Sequence, residues 1–154
     1  MNVTNAITID LPIPMETKLG KIDYTKKDLF NFTQGLCGFE NYHKYIITFL
    51  PNEQSGSTYR YMQSLDKSDF GIVLLGINLQ SKSMIDKNDL HEHLHRHNLN
   101  LEDVVVYLIT SLRSENNRSV VSFNTKAPIL LANNSQEGWQ VILENSRREV
   151  LHYF

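Results

Sequence analysis

The sequence predicts an all-β protein: a single antiparallel, barrel-like domain that is mainly β, with one or two short helices. Short runs rich in β-branched and aromatic residues recur along the chain, and turn-forming residues bound each run. Many short strands at regular spacing are typical of a sandwich or a barrel, and not of alternating strands and helices. The length of 154 residues suits one domain and is sufficient to bury a sizeable core.

The predicted strands follow one another with short connections. Residues 7–11 are predicted to form a strand or an extended arm, and the segment from residue 15 to residue 24 an extended stretch with a kink at Gly20. Further strands are predicted at residues 28–32, 45–50, 58–64, 70–79, 103–112, 119–124, 129–133 and 139–143. The polar loops at 65–69 and 133–138 have hairpin length, so the strands that flank each loop should be antiparallel neighbours.

Composition and charge exclude several classes of protein. A net charge of −2 with scattered lysines and arginines gives no basic face for direct nucleic-acid binding. Cys37 is the single cysteine, so no internal disulfide can form and a reducing compartment is expected. The first 15 residues lack the pattern of a signal peptide, and no run approaches the length of a membrane span. A cytoplasmic protein without membrane partners is therefore expected.

One helix is predicted, from Asp86 to His97, and it contains the literal spacing H-E-x-x-H at His91, Glu92 and His95. On a helix this spacing places two imidazoles one turn apart, where they can share a zinc ion, with the glutamate as general base. A zinc-dependent hydrolase is therefore the alternative function.

Two observations weigh against the zinc interpretation. The positions in the next turns that hold a glycine and a third histidine in extended zinc motifs are Asn98 and Leu101 here. Polar residues also surround nearly the whole helix, which is typical of a solvated surface helix and not of a buried active-site helix. The sequence contains no nucleophile elbow and no glycine-rich phosphate loop, so no catalysis, no metal and no cofactor is predicted.

Three blocks of the chain, at residues 32–50, 59–75 and 123–143, carry spaced glycine, aromatic and Asn-x-x-Ala-Pro motifs. Together, and in this order, they resemble the flagellar assembly factor FliW family over roughly residues 13–154. Cys37, Met62 and Ser68 stand where the family usually has proline, leucine and proline. The matching positions are Gly35, Leu36, Gly38, Phe39, Glu40, Tyr61, Gln63, Ser64, Asp66, Asp69, Phe70, Asn124, Ala127, Pro128, Asn133, Gly138, Gln140, Val141 and Leu143.

The resemblance implies a noncatalytic cytoplasmic regulator with two protein partners. FliW-type proteins bind flagellin on one side of a switch and the translational repressor CsrA on the other. Sequestering CsrA releases flagellin mRNA for translation, and accumulating flagellin restores repression by titrating the FliW-type protein. Residues 1–12 are expected to be an N-terminal extension, and residues 13–154 the FliW-like β domain. A domain that kept the fold after losing its flagellar partners is a further alternative.

The matched residues divide into expected structural and partner-binding roles. Gly35 and Gly38 should bracket a turn with positive φ, and Pro128 should stand at a bulge or a strand start. Phe39 is expected to be a buried anchor of that turn, with an exposed hot spot as the alternative. The expected structural residues are Gly35, Gly38, Asn124, Pro128 and Gly138. The candidate partner-binding residues are Phe39, Glu40, Gln63, Asp66, Asp69 and Gln140.

The expected roles of the polar candidates follow from their place in strands and loops. Asp66 and Asp69 flank a predicted hairpin and can meet arginines of a partner. Gln63 lies in a predicted strand, where a cross-strand hydrogen bond or capture of a partner peptide would satisfy its amide. Flagellin's terminal segments are amphipathic, so the sequence also predicts an apolar surface patch near a sheet edge.

Overall fold

The computed structural model describes residues 11–51, 57–79 and 84–153. The strand predicted at residues 7–11 lies almost entirely outside the described residues. The described part contains eleven strands, one α-helix, and short 3-10 turns at Lys26–Asp28 and Leu101–Asp103. The elements are β1 (Ile13–Thr17), β2 (Gly20–Tyr24), β3 (Leu29–Asn31), β4 (Lys44–Thr48), β5 (Tyr59–Ser64), β6 (Gly71–Gly76), α1 (Lys87–Arg96), β7 (Val104–Glu115), β8 (Arg118–Asn124), β9 (Ile129–Ala132), β10 (Glu137–Gln140) and β11 (Glu149–Tyr153).

Seven strands close a barrel in the order β7-β6-β5-β4-β3-β10-β9, and β9 returns to β7. The β-barrel prediction is therefore confirmed, and the hairpins β5–β6 and β9–β10 are antiparallel as expected. One pair differs from the antiparallel expectation, because β10 and β3 are parallel where Glu137 lies opposite Asn31. The hairpin with β9 fixes the direction of β10, and β10 then closes the barrel against β3 in that direction.

The long strand β7 joins the barrel to an extra sheet. Residues Val104–Tyr107 pair with β9, and residues Thr110–Glu115 pair with β8, which carries β11 on its far side. In the connection between β8 and β9, the Asn124 side-chain oxygen accepts hydrogen bonds from the Lys126 and Ala127 amides. Pro128, which has no N–H to offer a ladder, stands directly before β9.

Alternating side chains of the strands form a barrel interior and an apolar outer face. Along β7, Tyr107 belongs to the interior cluster, whereas Val106 and Leu108 belong to a second cluster on the other face. Helix α1 covers this second cluster with Leu90 and Leu94. The β1–β2 hairpin covers a third cluster, in which its residue Ile22 packs on Ile46 and Tyr61.

Helix α1 lies where it was predicted, but it is less solvated than expected. The Asp86 carboxylate accepts a hydrogen bond from the Asp89 amide and so caps the first turn. Asp89 itself is buried, and its carboxylate accepts hydrogen bonds from the backbone and side-chain amides of Asn145. The tertiary contact with the C-terminal segment therefore buries a carboxylate that the helix pattern alone places in solvent.

One local prediction was wrong, and one strand was not predicted. The segment from residue 15 to residue 24 is part of a hairpin and not one extended stretch, because Gly20 has φ of 113° and its carbonyl accepts from the Thr17 hydroxyl. Strand β11 was not predicted, since five residues after a charged run give little pattern of their own. Pairing with β8 is what orders it as a strand.

Candidate partner-binding surfaces

A tight turn between β3 and β4 presents the first block of candidate residues. Gly35 and Gly38 have φ of 66° and 84°, the positive values expected for this turn. A Cβ on Gly35 would stand 2.6 Å from the Glu40 Cα, so the turn also needs the missing side chain at this position. Leu36 is buried beneath the turn and holds it to the barrel interior.

Gln140 fixes the turn to the barrel wall. Its side-chain oxygen accepts a hydrogen bond of 2.8 Å from the Cys37 amide, and its side-chain NH2 donates to the Ala127 carbonyl at 3.2 Å. Both ends of the half-buried amide are thus used within the protein. Gln140 therefore orients the turn that carries the exposed candidates.

Phe39 is exposed and lies in an aromatic group at one end of the barrel. The expected burial of Phe39 was wrong, since 41% of its surface is exposed. Its ring contacts Phe70 edge-on at 4.4 Å between centroids and stacks with Tyr42 at 6.2 Å. Tyr45 lies beneath, fully buried, with its ring 6.2 Å from that of Phe70. Phe39 therefore lies on the surface, where it packs against the rings of Tyr42 and Phe70 and not against the core.

The carboxylates beside these rings differ in their contacts. Asp66 accepts hydrogen bonds through Oδ2 from the amides of His43 and Lys44, at 2.8 and 3.1 Å. These two bonds are the main reason that the pKa of Asp66 lies below its ordinary value. Asp69 pairs with Lys67 at 3.1 Å on the surface, where such a pair contributes little to stability. Asp66 and Asp69 are both exposed to solvent.

We define the aromatic–acidic surface as this group of neighbouring rings and loop carboxylates. Its members come from the turn after β3 and from the β5–β6 hairpin, which the barrel brings together. Four of them were predicted from the sequence, and Tyr42 and the exposed part of Phe70 were not. Their signal in the sequence is that they are aromatic residues within the same two blocks. The members are Phe39, Glu40, Tyr42, Asp66, Asp69 and Phe70.

Gln63 lies apart from this surface, in the protein interior. It is fully buried, its Oε1 accepts a hydrogen bond from the Tyr61 hydroxyl at 3.0 Å, and its Nε2 donates to the Ser64 and Ser68 carbonyls. The contacts are made within its own strand and hairpin, in place of the expected cross-strand bond. Gln63 therefore shapes the loop that carries Asp66 and has no exposed surface for direct contact with a partner.

A second surface is an apolar groove of about 570 Å³ on the outer face of the barrel. It is lined by residues of β5, β6, β7 and β8 and by Leu50 after β4, and β8 is the neighbour of the edge strand β11. The groove therefore lies near a sheet edge, where the sequence predicts an apolar patch. Leu112 in its lining is 74% exposed, an unusual value for leucine within a long strand. We call it the outer groove; its lining is Leu50, Tyr59, Val73, Thr110, Leu112, Ser119 and Val121.

The histidines of α1 do not form the site that their spacing suggested. His91 and His95 are exposed, and in the described parts of the chain no three His, Cys, Asp or Glu side chains are grouped to hold a metal. His93 Nε2 instead lies 2.8 Å from the Ile142 carbonyl, and His97 packs on Trp139 with 4.8 Å between ring centroids. The inner histidines attach the helix to the barrel wall.

The partial burial of His97 makes the stability of the folded protein sensitive to pH. The pKa of His97 is lowered, first by burial and then by His93 and Arg96. Above the ordinary value of 6.5 the imidazole is neutral in the folded and unfolded states alike. As pH falls, the unfolded chain takes up the proton first, so the free energy of unfolding decreases until pH has passed the lowered folded pKa.

We therefore expect acidification to destabilise the wild type more than His97→Gln. The measurement is the free energy of unfolding of both proteins between about pH 8 and pH 5. His95→Gln, at an exposed position of the same helix, is the matched control and should follow the wild type. Trp139 is the single tryptophan, so its fluorescence should report the same transition locally. Parallel curves for the wild type and His97→Gln would contradict the role of His97.

No helix in the described ranges is both long enough and apolar enough to cross a membrane. The closed barrel, the exposed aromatic–acidic surface and the outer groove together define a small β-barrel protein with two exposed candidate surfaces. The chain belongs to the FliW family, because the family described as "FliW protein" matches residues 14–154.

Comparisons with individual proteins agree with this assignment. The chain is 27% identical over 140 residues to the flagellar assembly factor FliW of Ruminiclostridium cellulolyticum, covering 89% of this chain and 90% of the relative. It is 28% identical over 136 residues to the flagellar assembly factor FliW of Thermotoga neapolitana, covering 88% and 89%. A crystal structure of the flagellar assembly factor FliW has the same fold, with a TM-score of 0.64 at 24% identity over 90% of this chain and 94% of that one.

Proposed function

We propose that this protein is a noncatalytic cytoplasmic regulator that binds flagellin and a CsrA-type translational repressor. By sequestering the repressor it relieves repression of flagellin mRNA, and by binding flagellin it couples synthesis to filament assembly. A role in flagellar assembly is supported by membership of a family of flagellar assembly factors. Binding of two partners is supported by the presence of two separate exposed surfaces, the outer groove and the aromatic–acidic surface. The mechanism needs no cofactor, no membrane and no direct contact with nucleic acid.

The outer groove is the observation that carries the proposal, and we assign it to flagellin. An amphipathic segment of flagellin has an apolar face that must be covered before assembly, and an apolar groove on a rigid sheet can cover it. Leu112 is the most exposed leucine of the lining, while Tyr59, Val73 and Val121 are partly buried. An exposed leucine beside partly buried apolar side chains is suited to be an anchor of the interface.

We assign the aromatic–acidic surface to the repressor. CsrA-type repressors bind RNA and therefore carry basic surfaces, which complement carboxylates at Glu40, Asp66 and Asp69. Phe39 supplies apolar contact area beside these charges. Gln63 and Gln140 act indirectly in this proposal, because they hold the two loops in place. The net charge of −2 makes local complementarity more important than long-range attraction.

The test is capture of both partners by the purified protein at micromolar concentration. Immobilised protein is mixed separately with flagellin monomers and with a CsrA-type repressor from the same source, and bound protein is quantified. We expect both to be retained. Reproducible failure to retain either partner would refute the proposal and would favour a domain that has lost its flagellar partners.

A further inference from the structure

The buried hydroxyl of Tyr45 stands out among the polar groups of the described residues. It is inaccessible to solvent and has no hydrogen-bond partner, whereas the neighbouring buried hydroxyl of Tyr61 donates to Gln63. Burial raises the pKa of Tyr45 to about 12, and the nearby Asp66 carboxylate and Tyr42 add to this increase. The Tyr45 ring itself contacts Phe70 of the aromatic–acidic surface, with 6.2 Å between the ring centroids.

An unpaired buried hydroxyl destabilises the folded state, so its retention at this place requires an explanation. Phenylalanine at position 45 would fill the same volume without an orphan polar atom. The rings of Phe32 and Phe70 pack against Tyr45 and offer it no hydrogen-bonding group. The hydroxyl is thus available to a group that enters from outside.

The carboxylate of Asp66 has a free oxygen on the same side. Its Oδ2 accepts both amides, from His43 and Lys44, while Oδ1 receives no hydrogen bond from the described residues. The ammonium of Lys67 is engaged by Asp69 and does not neutralise this oxygen. The Asp66 carboxylate is thus held at the two residues directly before Tyr45, so a free carboxylate oxygen and a free phenol oxygen belong to the same end of the barrel, beside the rings of Tyr42, Phe70 and Phe39.

We propose that these residues form a binding site for a guanidinium group, the side chain of an arginine on a protein partner. A guanidinium is planar, stacks on aromatic faces and presents several N–H donors in a fixed fork. One N–H donates to Asp66 Oδ1 and another to the Tyr45 hydroxyl oxygen, after the half-buried rings of Tyr42 and Phe70 have moved apart. The site rests on the proposed function only in that it assigns the arginine to a partner protein.

Arginine suits this site better than lysine does. The two acceptors are separate atoms, and the planar fork can donate to both while its face remains on a ring. A lysine ammonium is a compact, strongly hydrated charge, and Lys67 already occupies the edge of the surface without bonding to Asp66. The site should therefore prefer arginine to lysine, although both side chains carry the same charge.

The experiment is an amide chemical-shift titration with N-acetyl-arginine amide, with N-acetyl-citrulline amide as the uncharged isostere. We expect the arginine compound to shift the signals of residues 39–45 and 66–70 and the citrulline compound to leave them in place. Tyr45→Phe should bind the arginine compound at least about fivefold more weakly, because a hydrogen bond to a charged donor is lost. The same variant should melt at or above the wild-type temperature.

The controls separate a binding role from a structural one. Tyr107→Phe removes a hydroxyl from another buried tyrosine of the barrel interior and should leave the titration unchanged. Asp66→Asn keeps an oxygen for the His43 and Lys44 amides but removes the charge, and should abolish the shifts. Equal shifts with both compounds, no shifts with either, or unchanged binding by Tyr45→Phe would overturn the site. The titration contains no flagellin and no repressor, so its outcome is independent of the capture experiment.

Discussion

Gly138→Ala is expected to lower the free energy of unfolding by about 3 kcal/mol, the upper end of the usual cost of overpacking a core. A Cβ at this position would stand 2.2 Å from Cζ of Phe32. The Phe32 ring is fully buried and packs edge-on against Tyr45 at 5.3 Å, so it has no free space to move into. The backbone at residue 138 is held as well, because β10 pairs with both β9 and β3.

Gly38→Ala is the matched control for this substitution. Nothing lies within 4 Å of a Cβ at Gly38, so only the positive φ of 84° opposes alanine there, at a cost of about 1 kcal/mol. The measurement is the denaturant-induced unfolding of the wild type and both variants under the same conditions. A Gly138→Ala protein no less stable than Gly38→Ala would show that the contact between β10 and Phe32 is looser than described.

Leu112→Glu is expected to weaken flagellin capture at least tenfold, since removing an interface anchor costs about 2 kcal/mol or more. The substitution places a charge in the lining of the outer groove, where the apolar face of a flagellin segment would have to desolvate it. The fold should be nearly unaffected, because 74% of the Leu112 surface is already exposed. Capture of the repressor should be unchanged, as Leu112 does not belong to the aromatic–acidic surface.

Leu11→Glu provides a control of equal chemistry and equal exposure. Leu11 is also 74% exposed, but it does not line the outer groove. Both variants add the same charge and remove the same side chain, so a general effect of charge on flagellin binding would appear in both. Equal capture by the Leu112→Glu and Leu11→Glu proteins would place the flagellin interface outside the groove.

The sequence predicted the elements of the fold better than the positions of the candidate surfaces. Strands β3 to β10 and helix α1 were located because each has its own apolar pattern and turn residues at its ends. Strand β11 and the β1–β2 hairpin were not, since their order depends on pairing with other strands. The parallel contact of β3 with β10 joins distant segments, and no local pattern encodes it.

The candidate surfaces show the same division between local and tertiary information. Phe39 was expected to be a buried anchor of the turn, with an exposed hot spot as the alternative, and it meets Tyr42 and Phe70 on the surface. Leu112 belongs to the alternating pattern of a central strand, which gives no sign that one outer-face leucine is left uncovered. Gln63 was a candidate for direct contact with a partner, but its burial leaves no exposed surface for such a contact.

The sequence by itself determined that this chain is a small β protein, where most of its strands and its helix lie, and that Gly35 and Gly38 need positive φ. These features depend on side-chain periodicity and backbone sterics within a few residues. Only the tertiary structure decided which apolar faces are covered: α1 and the β1–β2 hairpin shield two parts of the barrel and leave the outer groove open. Burial depends on the neighbours that an element meets in space, and the pattern of one strand cannot specify those neighbours.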